Sequence, residues 1–346
     1  MSDLHRFFEA AAEAAASDVH VHAGQPLKMR QFGQLVPISD KPLSPEATDQ
    51  VLGELLTPWQ RRQLDEHGEV DFAYMVADVG RFRANVYRHH AGTNGVFHFV
   101  PPSPPTLDEL GLPSNLARLT NFAQGLILVT GPAGCGKTST LAALIDIINA
   151  ERSDHILTIE DPIEYLHPSK RCVVNQRQVG RHTTSFARAL RGALREDPDI
   201  ICIGELRDLE TISLALSAAE TGHLVLATLH TGSSIGTINR IVGAYPPAQQ
   251  PQVRAMMSES LRAIISQRLV PRADEAGVVP ALEILYVNKA VGTCIRDNRT
   301  FQINSVLQTG KAQGMQRLED ALAELVRAGV ISTRAAREHG GDQGGQ

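Results

Sequence analysis

The stretch Gly125-Leu-Ile-Leu-Val-Thr-Gly-Pro-Ala-Gly-Cys-Gly-Lys-Thr138 decides the fold. Leu126 to Thr130 is a short, unbroken apolar run of the kind that forms a strand buried on both faces. Gly131 to Thr138 fits G-x-x-x-x-G-K-[ST], and Ser139 to Ala150 continues with helical spacing. In that strand-loop-helix setting the glycines let the backbone curl with its N–H groups inward, and the helix adds its positive N-terminus. The result is a cage for phosphate oxygens. Gly131, Pro132, Ala133, Gly134, Cys135, Gly136, Lys137, Thr138 and Ser139 are therefore the expected nucleotide contacts. Lys137 should reach the β and γ phosphates of ATP, and the Thr138 hydroxyl should ligate Mg²⁺.

Downstream, three further short apolar runs alternate with helical segments: Ile156 to Ile159, Asp199 to Ile203 and Leu224 to Leu229. That alternation predicts an α/β domain, a parallel sheet with helices on both faces. Past Gln250 the spacing predicts a largely helical region, and His339 to Gln346, rich in Gly and Gln, reads as a disordered tail.

Upstream, short alternating segments at Asp18–His22, Leu35–Ile38, Val70–Met75, Phe82–Tyr87 and Gly95–Val100, with a helix over Pro45–Glu66, predict a smaller α+β domain in residues 1–100. Pro101-Pro-Ser-Pro-Pro105 removes backbone donors and fixes φ at successive positions. It marks an interdomain linker over 101–113, followed by an ATPase domain over 114–338.

The strand ends carry the remaining chemistry. Asp199-Ile-Ile-Cys-Ile-Gly-Glu205 ends on a carboxylate at the edge where α/β sheets bind ligands, so Glu205 is the expected group that readies the attacking water. Glu160, Asp161 and Glu164 gather after another strand, where Asp161 suits Mg²⁺ held through water. The same residues also fit a plain acidic turn stopped by Asp161-Pro162. In Thr221-Gly-His-Leu-Val-Leu-Ala-Thr-Leu-His230, His223 and His230 flank a strand, with Thr228 and Thr231 nearby as possible phosphate sensors. Arginines at Arg81 and Arg83, and at Arg188, Arg191 and Arg195, are candidates for neutralising charge during phosphoryl transfer, often from a neighbouring subunit.

Composition narrows the classes. The chain has 346 residues, 42% hydrophobic and 21% charged with a formal net charge of −5, which gives no electrostatic case for nucleic acid. The apolar runs are far shorter than the ~20 residues of a membrane span, and the N-terminus lacks signal-peptide regions. The expectation is a cytoplasmic protein whose contact with a membrane runs through a partner only. The four cysteines lie apart, which argues against a zinc knuckle or a disulfide framework.

The order of the loop at Lys137, Glu160-Asp-Pro-Ile-Glu164, Gly204-Glu-Leu-Arg-Asp208 and Thr221-Gly-His-Leu-Val…Thr-Leu-His-Thr231 resembles the secretion ATPases, most closely the PilT-type pilus retraction ATPases. Ala16-Ser-Asp-Val-His-Val-His-Ala-Gly24, Gly80-Arg-Phe-Arg-Ala-Asn85 and Ser260-Leu-Arg-Ala-Ile-Ile-Ser-Gln-Arg-Leu269 extend the resemblance over nearly the whole chain. It implies a PAS-like first domain, a RecA-like ATPase domain and a homohexameric ring that acts on an inner-membrane pilus platform protein from the cytoplasmic face. It also implies that Glu160, Asp161 and Glu164 form an acidic box, that Glu205 is the catalytic glutamate, and that His223 with His230 form a histidine box. Arg81 and Arg83 would approach the phosphates.

Two features depart from that family. Cys135 stands where Ser is common, which puts an oxidisable thiol beside phosphate. Ala290-Val-Gly-Thr-Cys-Ile295 aligns with a retraction motif whose Arg and Asn have become Gly292 and Thr293. The competing readings are a pilus extension or type II secretion assembly ATPase, a nucleotide-binding regulatory paralogue in a mixed ring, and a DNA-translocating motor.

Overall fold

The computed structural model describes residues 3–14, 16–31, 34–77, 79–100, 103–275 and 277–340. The chain divides into two compact units, Met1–Ser103 with Pro162–Leu166, and Pro104–Asp161 with His167–Gln346.

The first unit is the smaller α+β domain. It contains α1 (Asp3–Glu13), β1 (Asp18–Val21), β2 (Pro26–Gln31), β3 (Gln34–Pro42), α2 (Pro45–Leu55), α3 (Pro58–His67), β4 (Glu69–Val76), β5 (Gly80–His89) and β6 (Gly92–Val100). The strands form one sheet in the order β3-β2-β1-β6-β5-β4, antiparallel throughout. Alternation along β5 buries Phe82, Ala84 and Val86 and leaves Arg81 and Arg83 on the other face. Phe8 of α1 closes the core, its ring 4.6 Å from Phe82 and 5.0 Å from Phe97. The helix expected over Pro45–Glu66 is two helices. Pro58 cannot donate within a helix, and Thr57 accepts from Gln60 N while Gln60 returns a bond to Thr57 N, which starts a new helix there.

The second unit is the RecA-like α/β domain. It contains β7 (Gly125–Thr130), α4 (Lys137–Glu151), β8 (His155–Glu160), β9 (Val173–Gln178), α5 (Phe186–Ala193), β10 (Ile200–Ile203), α6 (Leu209–Glu220), β11 (Leu224–Leu229), α7 (Ser234–Gly243), α8 (Gln250–Ser260), β12 (Leu261–Pro271), β13 (Val278–Tyr286), α9 (Lys289–Arg296), α10 (Ile303–Thr309), α11 (Leu318–Arg327) and α12 (Thr333–Gly340). The sheet runs β13-β12-β7-β11-β10-β8-β9, parallel except for β13. Every residue of β7, β10 and β11 is buried, as their continuous apolar runs require.

Three expectations need correction. The region past Gln250 is not largely helical, because β12 and β13 extend the sheet there. A buried strand such as Leu261–Val270 carries an apolar run that periodicity cannot tell from a buried helix. The expected linker is packed in its second half, with Leu107 and Leu112 in the core of the second unit; Pro101 and Pro102 lie outside the described residues. His339 and Gly340 close α12 rather than opening a tail, while 341–346 lie outside the described residues.

Candidate active site

The loop after β7 needs glycine in three places. Gly131, Gly134 and Gly136 have φ of 144°, 73° and 86°. At Gly131 a Cβ would lie 2.3 Å from the Gln267 carbonyl oxygen and 2.6 Å from Cys135 Sγ, so no other residue fits without moving backbone. A Cβ on Gly134 would meet nothing within 4 Å, and Pro132, Ala133 and Gly134 are exposed. Gly136 precedes α4, and Thr138 and Ser139 sit half-buried in its first turn. Burial pushes the Cys135 thiol above its ordinary value although Lys137 is close, so this thiol is held in its unreactive form.

Lys137 is buried. Its Nζ donates to the carbonyls of Gly131 at 2.9 Å and Pro132 at 2.8 Å, and stands 3.4 Å from Nδ1 of His230. On the other side of that ring, Nε2 of His230 lies 3.2 Å from Oε1 of Glu205. The sheet order explains the arrangement. Strand β11 lies between β7 and β10, so the residue ending β11 falls between the loop that follows β7 and the acid that follows β10. The structure thus brings together Lys137, His230 and Glu205.

Glu205 is held on both oxygens. Arg207 Nε donates to Oε2 at 2.8 Å, and this bond, with the charge of Glu205, raises the Arg207 pKa above its ordinary value. Arg207 also comes within 4.0 Å of Asp161. The Thr228 hydroxyl is engaged with the backbone. It donates to Gly204 O at 2.5 Å and the Thr228 carbonyl accepts from Leu206 N at 3.0 Å, which fixes the turn that carries Glu205. Thr231 is paired with Thr237 at 2.7 Å.

The other candidates separate. Glu160 ends β8 and accepts from Thr158 Oγ1 at 2.6 Å and Gln176 Nε2 at 3.1 Å. Glu164 belongs to the first unit, where it pairs with Arg83 of β5 at 3.1 Å. Among the described residues no group of three His, Cys, Asp or Glu side chains is arranged to hold a metal ion. Arg191 pairs with Glu210.

His223 needs correction as a nucleotide contact. It precedes β11 and binds Ala218 O through Nδ1 at 3.0 Å, so it stands at the amino edge of the sheet. The six residues of the strand separate it from His230 by about 20 Å. Two contributors escaped sequence reasoning. Arg207 was legible only as part of Gly204-Glu-Leu-Arg-Asp208, with nothing to say where its guanidinium points. Gln267 of β12 bonds Cys135 O at 2.6 Å and Thr140 Oγ1 at 2.8 Å. No local pattern marks a residue whose partners lie so far away in the chain.

Among the described residues no helix is long and apolar enough to cross a membrane. Comparison with known proteins agrees with the geometry. The chain is 45% identical over 336 residues to the type IV pilus retraction ATPase PilT of Pseudomonas aeruginosa, which covers 97% of each chain. It is 47% identical over 309 residues to a twitching motility protein of Neisseria gonorrhoeae, covering 89% of this chain and 83% of that one. Its fold is similar to a crystal structure of the pilus retraction motor PilT with bound ADP, at a TM-score of 0.89 and 45% identity over 98% of this chain and 97% of the other. Residues 1–339 match the family model for type II/IV secretion system proteins, and the chain belongs to that family.

Proposed function

We propose that this chain is an ATPase whose hydrolysis of ATP drives retraction of a type IV pilus, working as one subunit of a homohexameric ring against an inner-membrane platform protein. The observation that carries the catalytic half is the Lys137–His230–Glu205 chain, which puts a strand-end carboxylate one imidazole away from the phosphate-binding lysine. The similarity to PilT over nearly the full length of both chains supports the motor half.

The residues divide the work as follows. The loop amides from Gly131 to Ser139 and the Lys137 ammonium hold phosphate oxygens and their charge. Glu205 orients the attacking water and takes its proton on a carboxylate oxygen. Lys137 can only donate, so Nδ1 of His230 accepts from it, while Nε2 stands 3.2 Å from Glu205 Oε1. That fixes the rotamer of the acid and couples it to the lysine. Arg207 holds the other oxygen at 2.8 Å, which helps fix the carboxylate in place.

The donors near the loop are oxygens, a hydroxyl and carboxylates, which fits a hard cation that keeps part of its water shell. Thr138 would bind Mg²⁺ directly, and Asp161 would bind it through water. When present, the ion neutralises charge between the β and γ phosphates. Glu160 is a second acid near this edge, held by Thr158 and Gln176. The phosphate-neutralising role of Arg81 and Arg83 is carried by the family resemblance alone, and Arg83 is paired with Glu164 at 3.1 Å.

A second reading, a regulatory paralogue in a mixed ring, rests on Gly292 and Thr293 of α9. Complementation separates the two. The chain expressed in a retraction-deficient strain is expected to restore twitching, with ATP turnover by the purified protein. Turnover without twitching would favour a motor of another process, and ATP binding without turnover would favour the regulator.

A further inference from the structure

One residue of β12 reaches the phosphate loop at Gly131, Cys135 and Gly136 and the helix after it at Thr140. Gln267 lies on β12 just past the register pair Ser266–Thr130 and is 4% exposed. Its Nε2 donates to Cys135 O at 2.6 Å, and its Oε1 accepts from the Thr140 hydroxyl at 2.8 Å, so both ends of the amide are used. Its backbone oxygen lies where a Cβ on Gly131 would fall, at 2.3 Å, and its Nε2 lies 2.9 Å from the place of a Cβ on Gly136.

The bond to Cys135 has a directional consequence. A trans peptide is planar, with its C=O and its N–H on opposite sides. Holding Cys135 C=O against β12 therefore turns the N–H of Gly136 away from β12. Gly136, with φ of 86°, offers no Cβ to resist a swing of that plane. The restraint comes from the glutamine. Thr140 in turn holds the far end of the amide, so the side chain presents its donor and not its acceptor to Cys135.

We infer that Gln267 is a positioning residue for nucleotide binding: it locks the Cys135–Gly136 peptide so that the Gly136 amide points into the phosphate cage. The inference rests on the reading of this loop as the nucleotide site. It gives β12, a strand with no catalytic group of its own, a part in phosphate affinity. Its effect falls mainly on the binding of nucleotide, and less on the rate at which bound ATP is cut.

The test uses the full-length chain with ADP and Mg²⁺ in a calorimetric titration, alongside thermal melting and ATP turnover. Gln267→Met keeps the volume and loses both hydrogen bonds. Gln267→Glu keeps an acceptor for Thr140 but sets a carboxylate against the Cys135 carbonyl, which turns the peptide away. Both are expected to weaken ADP binding about tenfold or more, the usual size of a lost hydrogen bond to a charged group, and to raise KM for ATP more than they lower kcat. Ser266→Ala removes a buried bond to Thr130, 2.9 Å long, between the same two strands. It is expected to lower the melting temperature and leave ADP affinity within about twofold of wild type.

ADP affinity in either folded Gln267 variant equal to wild type would overturn the inference. So would a loss in Ser266→Ala that matches Gln267→Met degree for degree of melting. If Gln267→Met does not fold, Gln267→Glu decides by the same titration. A wild-type chain that fails to bind ADP would overturn the nucleotide site itself, whereas equal binding by wild type and both variants overturns this inference alone.

Discussion

The imidazole of His230 lies between Lys137 and Glu205, with Nδ1 3.4 Å from the ammonium and Nε2 3.2 Å from the carboxylate. The lysine and the acid therefore share a partner, and the proposed function gives them separate tasks, one gripping phosphate and the other readying water. Lys137→Ala is expected to abolish ATP binding. Glu205→Ala is expected to bind ATP and to lose hydrolysis by at least about a hundredfold. Nucleotide titration and phosphate release, run on both variants, check this. Equal loss of binding in the two would show that Glu205 is not the catalytic acid.

His230 itself should affect rate more than affinity. His230→Ala leaves Lys137 its two loop carbonyls at 2.9 Å and 2.8 Å and leaves Glu205 its bond to Arg207 at 2.8 Å, so both groups stay near their places. The fixed orientation of the acid is lost. The expected result is kcat lower by about 10- to 100-fold, with KM for ATP changed by less than about threefold. A variant with a normal kcat and a large rise in KM would mean that His230 serves phosphate binding instead.

The phosphate loop was legible because its chemistry is local: glycines, a lysine and a hydroxyl in one short stretch between a strand and a helix. What lay beyond it depended on sheet order. Nothing in the sequence of β11 says that it inserts between β7 and β10, and that insertion is what puts His230 between the loop and the acid. The exclusion of His223 was legible and was missed, since a six-residue strand between two histidines already puts them at opposite edges of a sheet. For β12 the signal was ambiguous. Its buried run Ala263 to Ser266 and the helix α6 both read as apolar segments, and only length and flanking residues distinguish them. Gln267 falls inside the stretch Ser260–Leu269 that carries the resemblance, but its role lies in partners of other elements, which no local pattern shows. The split of the acidic stretch followed from the Glu164–Arg83 pair, a contact 81 residues apart in the chain.

Helix α9 carries the departure from the retraction motif, and its packing is specific. A Cβ at Gly292 would lie 3.1 Å from the carbonyl oxygen of Ser258 on α8, whereas Thr293 is exposed and bonds Lys289 O at 2.9 Å. Gly292 is buried, so in the Gly292→Arg/Thr293→Asn double variant the new side chain must displace α8, a cost of about 1–3 kcal/mol that the better helix propensity of arginine, about 0.7–1 kcal/mol, offsets in part. Stability should therefore fall by up to about 2 kcal/mol, and ATP turnover of the folded variant should stay at the wild-type level. The expected gain is in twitching above the level that the wild-type chain restores in a retraction-deficient strain. Unchanged twitching at full ATP turnover would detach this helix from pilus retraction.

His167 gives the second unit an acid-sensitive group. It is buried, with Nδ1 lacking a hydrogen-bond partner, and burial lowers its pKa from 6.5 to about 4, a shift that Asp146 opposes and Lys170 reinforces. Lys170 and Asp146 are themselves paired at 2.7 Å, so little of the carboxylate's charge is left to stabilise a protonated ring. Between those two pKa values the unfolded chain binds the proton and the folded chain does not, so stability falls as the pH drops through this window and is fully present above it. From pH 7 to pH 5 the loss from this one group is about 2 kcal/mol. His167→Leu removes the titration, and the drop in unfolding free energy from urea titrations at the two pH values should shrink by that amount even if the variant is less stable at both. An equal drop in wild type and variant would mean that the His167 ring is already protonated at neutral pH or is reached by solvent.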